Sequence, residues 1–332
     1  PQLIEMIERY DVDGFWIDES PPGPCWCPTC RQGFTATSGL LPPGKRGDPG
    51  WRAWIDYHRQ VYHDYLDVLT KGIHAAKPTC QVCVNWMGSA MRPDPVQADL
   101  DFFSIDLTWV HGTQCAMLNG RAFAGRGKPW NLMSWGFMRT YHLGKMNPAW
   151  TMKEPAHLLQ ELAVTVALGG GAMVYEIPQV DGWHVGWHHD LLRQARDFVI
   201  ARREACFRSD PLPQAAIVTS SEAAFADPAD VYDKGPTTVL HGAIDALVEM
   251  QRPVDLLTED VALERLDGFA LAILPEAASV SAALRRGLER YVERGGRLLL
   301  TGAHLAGTWG EVLGVDATTT PAPILAESGA EG

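Results

Sequence analysis

The sequence lacks the marks of membrane-embedded and nucleic-acid-binding proteins. None of its apolar runs is long enough to span a bilayer, and its start shows no signal-peptide pattern. Basic residues are few, since 28 Lys and Arg stand against 40 Asp and Glu, and the formal net charge is −12. Binding to phosphate backbones needs clustered Lys and Arg. We therefore expect neither nucleic acid nor a membrane as a partner.

Cysteine is scarce and unevenly placed. Seven Cys occur in 332 residues, and three of them fall in residues 25–30, CWCPTC. An odd number with one dense cluster favours a metal-binding loop plus scattered thiols over a disulfide framework. The compartment, cytoplasmic or secreted, stays open. The chain starts on Pro1 rather than Met and enters a helical pattern at once, so we expect its natural N-terminus to lie upstream.

Apolar and aromatic residues are plentiful by contrast. Hydrophobic residues make up 46% of the chain, which is enough for the core of one large barrel or of two domains. Twelve Trp are many for this length. Because an aromatic face with a polar edge suits a sugar ring as well as a protein core, this abundance is compatible with carbohydrate binding.

In residues 1–210, short apolar strands alternate with helical patterns. Helices are predicted over 2–10, from about 48 to 77, around 158–166 and over about 188–206, and strands over 12–18, 81–86, 101–109, 129–135 and 171–178. Such alternation is typical of a parallel α/β layer. Five strands cannot close an eight-stranded barrel. We therefore expect the last five βα units of a (β/α)8 barrel, with three units upstream.

The pattern starts again after a Pro-rich linker at 210–213. Strands are predicted over 215–219, 254–257, 269–274 and 297–301, with helices over about 237–250 and 281–294. This order predicts a small doubly wound α/β domain over residues 211–332. The tail beyond 315 gives no element.

Carboxylates follow three of the predicted barrel strands. Asp18 and Glu19 end the first strand, Asp106 ends the third and Glu176 ends the fifth. Residues at the C-terminal ends of barrel strands form the active site, so these four are the candidate catalytic residues. Adjacent strand residues point to opposite faces, and Asp18 is the stronger candidate of its pair unless the chain bends just after it. The alternative for each is a structural Asp or Glu that binds loop amides.

Other polar and aromatic residues at the same strand ends are candidate substrate ligands, with core or rim positions as the alternative. They are Asn85, Trp86, Trp109, His111, Trp135 and Tyr175. A second candidate site is a histidine group at His184, His188 and His189, although no carboxylate completes it at a familiar metal-binding spacing.

These motifs resemble two groups of glycoside hydrolases. Residues 13–18, DGFWID, resemble the fourth barrel strand of α-L-fucosidase-like glycoside hydrolases and are similar to the group called hypothetical glycosyl hydrolase 6. Residues 25–30 resemble the zinc loop of the trimerising β-galactosidases. Residues 274–302 resemble the trimerisation domain of those enzymes, which is related to class I glutamine amidotransferase folds.

The resemblance implies an O-glycosyl hydrolase acting on carbohydrate. Residues 1–210 would be about strands 4–8 of a TIM barrel, with Asp18 as nucleophile and Asp106, or alternatively Glu176, as acid/base. Residues 211–332 would form a non-catalytic, flavodoxin-like and amidotransferase-like domain in a homo-oligomer. The β-galactosidases carry a catalytic Glu at the end of their seventh strand, whereas the matching strand here ends without a carboxylate at Trp135.

The resemblance also implies a structural zinc ion on Cys25, Cys27 and Cys30, with the fourth ligand upstream, and no organic cofactor. Two other functions stay open. One is a barrel that binds carbohydrate without catalysis, which would keep the Trp residues and need no paired acids. The other is a metal-dependent hydrolase that uses the histidine group.

Overall fold

The computed structural model describes residues 2–18, 24–107, 112–142, 145–225 and 237–313. The first part of the chain contains, in order, α1 (Gln2–Tyr10), β1 (Gly14–Ile17), α2 (Pro28–Ser38), α3 (Trp51–Ala76), β2 (Gln81–Val84), β3 (Phe103–Leu107), α4 (Gly112–Ala124), β4 (Trp130–Trp135), β5 (Phe137–His142), β6 (Lys145–Met152), α5 (Pro155–Ala167), β7 (Gly171–Tyr175), α6 (Gly186–Ile200) and α7 (Arg203–Cys206).

Five of these strands run parallel, as predicted. β1 pairs with β2, and β3, β4 and β7 pair in that order. One parallel bridge between Asn85 and Ser104 connects the two groups. We call this row of strands, β1-β2-β3-β4-β7, the first sheet. Within the described residues, β1 and β7 have no further neighbouring strand, so the row is open and the closed barrel stays a prediction.

Helix α3 explains how the first sheet is covered. Trp54, Ile55, Leu66 and Ile73 lie on one face of the helix and are at most 1% exposed. The first two pack against Phe34 of α2, whereas Leu66 and Ile73 pack into the core that lies behind β1–β4. The helix ends at Ala76, two residues before a proline that disfavours continued helix.

Three predictions about the first part need correction. The antiparallel hairpin β5–β6 was not predicted, since only a helix was expected between the strands at 129–135 and 171–178. Helices α2 and α4 were not predicted either. The helix predicted over 188–206 is two helices, α6 and α7, with a break at residues 201–202.

The second part contains β8 (Ala215–Val218), α8 (Ser221–Ala224), α9 (Thr238–Glu249), β9 (Val254–Leu257), α10 (Glu259–Arg265), a 3-10 turn at Leu266–Gly268, β10 (Leu271–Leu274), α11 (Ala282–Glu293), β11 (Arg297–Leu300) and α12 (Ala303–Leu313). Its four strands form a parallel sheet in the order β11-β10-β8-β9, which we call the second sheet.

Both faces of the second sheet are apolar and covered by helices. One face packs against residues of α10, α11 and α12, and the other packs against α9 and against Leu118 and Ala122 of α4. Since α4 belongs to the first part of the chain, the two parts share a core. That residues 211–332 form a separate doubly wound domain stays a prediction.

Polar contacts reinforce this junction. Arg121 Nε donates to the Val254 carbonyl oxygen at 3.1 Å, and Arg126 binds both Thr258 Oγ1 at 2.7 Å and Asp260 Oδ2 at 3.1 Å.

Among the described helices, none is both long and apolar enough to cross a membrane.

Candidate active site

Polar side chains from three strands form a hydrogen-bonded layer on one face of the first sheet. Trp16 Nε1, from β1, donates to Ser104 Oγ of β3 at 2.9 Å, and Ser104 Oγ donates to Asn131 Oδ1 of β4 at 2.6 Å. Alternate residues of a strand share a face. Asp18 and Asp106, two residues beyond Trp16 and Ser104, therefore point to the same side, toward the C-terminal ends of the strands.

The amide of Asn85 joins these two carboxylates. Asn85 Nδ2 donates to Asp106 Oδ2 at 2.7 Å and to Asp18 Oδ1 at 3.2 Å, and Trp135 Nε1 donates to Asp106 Oδ1 at 3.1 Å. We call these four residues the carboxylate centre. Asp18 Oδ1 and Asp106 Oδ2 are each within hydrogen-bond distance of the same nitrogen, so these two oxygens lie within about 6 Å of each other.

The centre is closed at its base and open at Asp18. Asn85 is only 2% exposed and Asp106 is half-buried, whereas Asp18 is exposed. Among the described residues, nothing donates to the buried Asn85 Oδ1. A buried acceptor without a donor is costly, and a hydroxyl group that entered from the open side would satisfy it.

The backbone turns sharply just after Asn85. Trp86 adopts a left-handed conformation with φ of 70°, which is uncommon for a bulky residue. Its amide donates to the Ser104 carbonyl oxygen at 3.1 Å, and its side chain is 6% exposed within the core of the first sheet. Trp86 therefore fits the core alternative, and the strained conformation lies next to the residue that joins the carboxylates.

Aromatic rings form one side of the centre. The Trp135 ring lies 5.0 Å from Phe137, 5.7 Å from Tyr175 and 6.0 Å from Trp150, measured between ring centroids. We call these four residues the aromatic wall. Trp135 and Tyr175 were candidates in the sequence. Phe137 and Trp150 were missed, since they belong to the hairpin that the sequence did not reveal.

Glu176 is paired with a residue outside the carboxylate centre. Its Oε1 is 2.9 Å from His188 Nδ1 of α6, and both side chains are at least nine-tenths buried. In a second buried pair, Lys153 Nζ, just after β6, donates to Glu161 Oε1 of α5 at 2.6 Å. Burial raises the pKa of Glu161, and the charge of Lys153 opposes that rise. Sequence reasoning missed Lys153 and Glu161, because neither follows a recognisable motif.

Three predicted site residues cannot be placed. Glu19, Trp109 and His111 lie outside the described residues.

The cysteine loop brings three thiols together. The Sγ atoms of Cys25, Cys27 and Cys30 lie within 4.8 Å of one another. The backbone N–H of Cys30 donates to Cys27 Sγ and lowers the pKa of Cys27 to about 7, whereas burial raises the pKa of Cys30 to about 12. Three clustered thiols, one of them easily ionised, fit three ligands of a tetrahedral metal site.

Histidines do not extend this metal site in the described part of the chain. The ring of His58 is bonded through Nε2 to the backbone N–H of Cys25 at 3.0 Å and through Nδ1 to the Trp54 carbonyl oxygen at 2.8 Å, so it orients the loop. The group proposed from His184, His188 and His189 does not bring its ligand atoms together. The three cysteines are the one group of potential ligands found among the described residues.

Comparison with known proteins shows the fold. No family model and no curated protein matches this sequence. Among solved structures, α-L-fucosidase isoenzyme 2 from Paenibacillus thiaminolyticus superimposes with a TM-score of 0.72 at 22% identity, over 91% of this chain and 44% of its own. A β-galactosidase from Rahnella sp. R3 superimposes with a TM-score of 0.67 at 17% identity, over 90% of this chain and 52% of its own.

A β-galactosidase from the haloarchaeon Halorubrum lacusprofundi gives a TM-score of 0.68 at 17% identity, over 90% of this chain and 55% of its own. The chain therefore shares the mixed α/β fold of these three glycosidases. It spans about half the length of the solved structures that it matches.

Proposed function

We propose that this chain carries the catalytic part of a glycoside hydrolase that cleaves O-glycosidic bonds with Asp18 and Asp106. The observation that supports the proposal most strongly is the shared donor, because Asn85 Nδ2 holds one oxygen of each carboxylate at the ends of parallel strands. Retaining glycosidases place their two carboxyl groups about 5–5.5 Å apart, and inverting enzymes about 6.5–9.5 Å. A separation within about 6 Å favours retention.

In this proposal Asp18 is the nucleophile and Asp106 the acid/base. Asp18 lies at the open side, where its carboxylate attacks the anomeric carbon while the glycosidic C–O bond breaks. Asp106 gives its proton to the leaving oxygen, then takes a proton from the water that hydrolyses the glycosyl ester. Asp106 accepts one N–H bond at each oxygen, from Asn85 Nδ2 and from Trp135 Nε1, and each oxygen keeps a second lone pair for the transferred proton.

The test is hydrolysis of a panel of aryl α- and β-glycosides, including fucosides and galactosides. Asp18→Asn should lower kcat/KM by about three orders of magnitude or more whatever the leaving group. Asp106→Asn should lower it steeply for poor leaving groups and little for dinitrophenyl glycosides, which need no proton. The control is Asp67→Asn, which removes a partly exposed carboxylate paired with the exposed Lys71.

Two results would reject parts of the proposal. Full activity in Asp18→Asn with unchanged melting would remove Asp18 from the mechanism. Absence of hydrolysis with every glycoside, together with sugar binding by the folded protein, would favour the carbohydrate-binding barrel instead.

Three further assignments belong to the proposal. Cys25, Cys27 and Cys30 hold a structural zinc ion together with a fourth ligand beyond these thiols, and the ion would stabilise the loop that follows Asp18. The second sheet and its helices form an amidotransferase-like assembly domain, which their parallel order and two-sided covering support. The protein is a homo-oligomer, which sedimentation of the purified protein would test.

A further inference from the structure

A cavity lies next to the aromatic wall, on the side away from Asp106. It has a volume of about 650 Å³ and lies between the hairpin β5–β6, the start of α5 and the first turns of α6. None of Asp18, Asn85 and Asp106 lines it. Its volume falls within the range of about 300–1,000 Å³ that small-molecule sites occupy.

Two exposed tryptophans flank this cavity. Trp150, at the end of β6, is 41% exposed, and Trp187, in the first turn of α6, is 56% exposed. The Trp187 ring meets the buried His188 ring edge-on at 4.2 Å between centroids, which limits its movement. Exposed, oriented indole rings offer flat apolar surfaces with a polar edge, which match the C–H faces of sugar rings.

The cavity floor contains a buried carboxylate that is only half satisfied. Glu176 Oε1 faces His188 Nδ1, whereas no group among the described residues donates to Glu176 Oε2. That oxygen lies against Gly136, where a Cβ atom would come within 3.0 Å of it. Because a desolvated carboxylate oxygen gains from any added donor, a hydroxyl-bearing ligand in the cavity would be stabilised there.

The charges that line the cavity disfavour anionic ligands. Glu154, Glu176 and Asp190 contribute carboxylates, of which Asp190 pairs with Arg193 at 2.7 Å. Of the basic residues in the lining, Lys153 Nζ pairs with Glu161, and His188 Nδ1 lies 2.9 Å from Glu176 Oε1. A phosphorylated or carboxylated sugar would add negative charge beside Glu154, so the ligand chemistry that fits best is a neutral sugar.

The aromatic wall connects this cavity to the carboxylate centre. Phe137 and Trp150 line the cavity, and both rings contact Trp135, whose Nε1 donates to Asp106. A chain of sugars could therefore lie with one unit at Asp106 and another in the cavity.

We propose that this cavity is a second sugar subsite, which binds another unit of a neutral oligosaccharide whose scissile bond lies at the carboxylate centre. The proposal rests on the proposed glycosidase function, and it predicts that oligosaccharides are better substrates than aryl monoglycosides. Trp187 supplies the stacking surface and the pair of Glu176 and His188 supplies the polar floor.

The test compares Trp187→Ala with Trp183→Ala in the whole protein. Trp183 is 74% exposed and does not line the cavity, so it is a matched control. For neutral tri- and tetrasaccharides that carry the preferred terminal sugar, Trp187→Ala should lower kcat/KM about tenfold, as expected for loss of one stacking contact. The kcat/KM for the matching aryl monoglycoside should stay within twofold, and Trp183→Ala should change neither value.

Binding without turnover separates this proposal from the proposed function. Saturation-transfer NMR with the same oligosaccharides should show contacts that weaken about tenfold in Trp187→Ala, even if no glycoside is hydrolysed. The subsite would be overturned if Trp187→Ala left kcat/KM for oligosaccharides unchanged, or lowered it equally for oligosaccharides and aryl monoglycosides. The proposed glycosidase function would not be affected by either result. Failure of every neutral oligosaccharide to bind at millimolar concentration would also overturn it.

Discussion

The first and second sheets hold buried carboxylates in opposite ways. In the part of the chain that forms the first sheet, Glu161 of α5 is paired with Lys153 at 2.6 Å, and both side chains are at most 5% exposed. In the second sheet, Asp255 of β9 is 1% exposed, and neither of its carboxylate oxygens has a hydrogen-bond partner among the described residues. Burial raises the pKa of Asp255 to about 6, against the opposing charges of Arg265 and Arg121.

Carboxylates at the strand ends of the two sheets also differ in the number of hydrogen-bond partners. In the first sheet, Asn85 just after β2 and Trp135 of β4 donate to Asp106, whereas Glu276, two residues after β10, is half exposed and its Oε1 lies 3.6 Å from His304 Nδ1. A parallel sheet thus places a carboxylate at the end of a strand, and the side chains of neighbouring strands determine whether that carboxylate has the donors of a site. The difference agrees with the catalytic role that we propose for the first sheet and the assembly role that we propose for the second.

Breaking the buried pair of the first sheet should have the largest effect. Lys153→Met leaves Glu161 as an uncompensated buried charge, and we expect a loss of about 3–5 kcal/mol in the free energy of unfolding. Urea denaturation measures this loss. The control is Lys71→Met, which removes an exposed pair with Asp67 and should cost less than about 1 kcal/mol. Similar losses in both variants would contradict the contrast between buried and exposed pairs.

Removing the shared donor should affect catalysis strongly and stability little. Asn85→Ala should lower kcat/KM by about 100-fold, as loss of one preorganised donor does in other active sites. The comparison variant is Glu276→Gln, at the end of a strand in the second sheet, and its kcat/KM should stay within twofold. Loss of activity in Glu276→Gln at unchanged stability would mean that the second sheet also takes part in catalysis.

Neutralising the unpaired carboxylate of the second sheet should stabilise the protein. Its folded-state pKa lies above the unfolded value of 3.8, so its contribution to stability is fully present below about pH 4 and is lost as pH rises through about 6. Asp255→Asn should therefore raise the free energy of unfolding by about 1–2 kcal/mol at pH 7.5 and by little at pH 4.

Denaturation curves at the two pH values measure this difference. Asp267→Asn, which removes an exposed carboxylate paired with Arg294, is the control and should change stability by less than about 0.5 kcal/mol. A destabilised Asp255→Asn variant at pH 7.5 would show that Arg121 and Arg265 compensate the charge fully.

The smallest effect on activity should come from the cysteine loop. We expect about one zinc ion per chain by elemental analysis, and Cys27→Ser should release it with less than threefold change in kcat/KM, because a structural metal acts on folding rather than on the reaction. A metal-free native protein would refute the zinc proposal. Loss of all activity on chelation, with melting unchanged, would point to a catalytic metal instead.

The sequence predicted the strands of both sheets well, because each is a short apolar run bounded by polar residues. It also predicted that Asp18, Asn85, Asp106 and Trp135 lie at one edge, since the carboxyl ends of parallel strands meet there. It did not predict the hairpin β5–β6 or its residues Phe137 and Trp150. Their local pattern is compatible with a loop, and only pairing between the two strands makes them a wall.

Local sequence thus determined which residues could reach the site, through strand periodicity and strand ends. Tertiary structure alone decided how they are used. Asn85 joins Asp18 to Asp106, and Glu176 turns to His188, because strand register and the packing of α6 bring together groups far apart in the chain. Hydrogen bonds and ion pairs act over a few ångströms, so their partners depend on this packing and leave no periodic signal in the sequence.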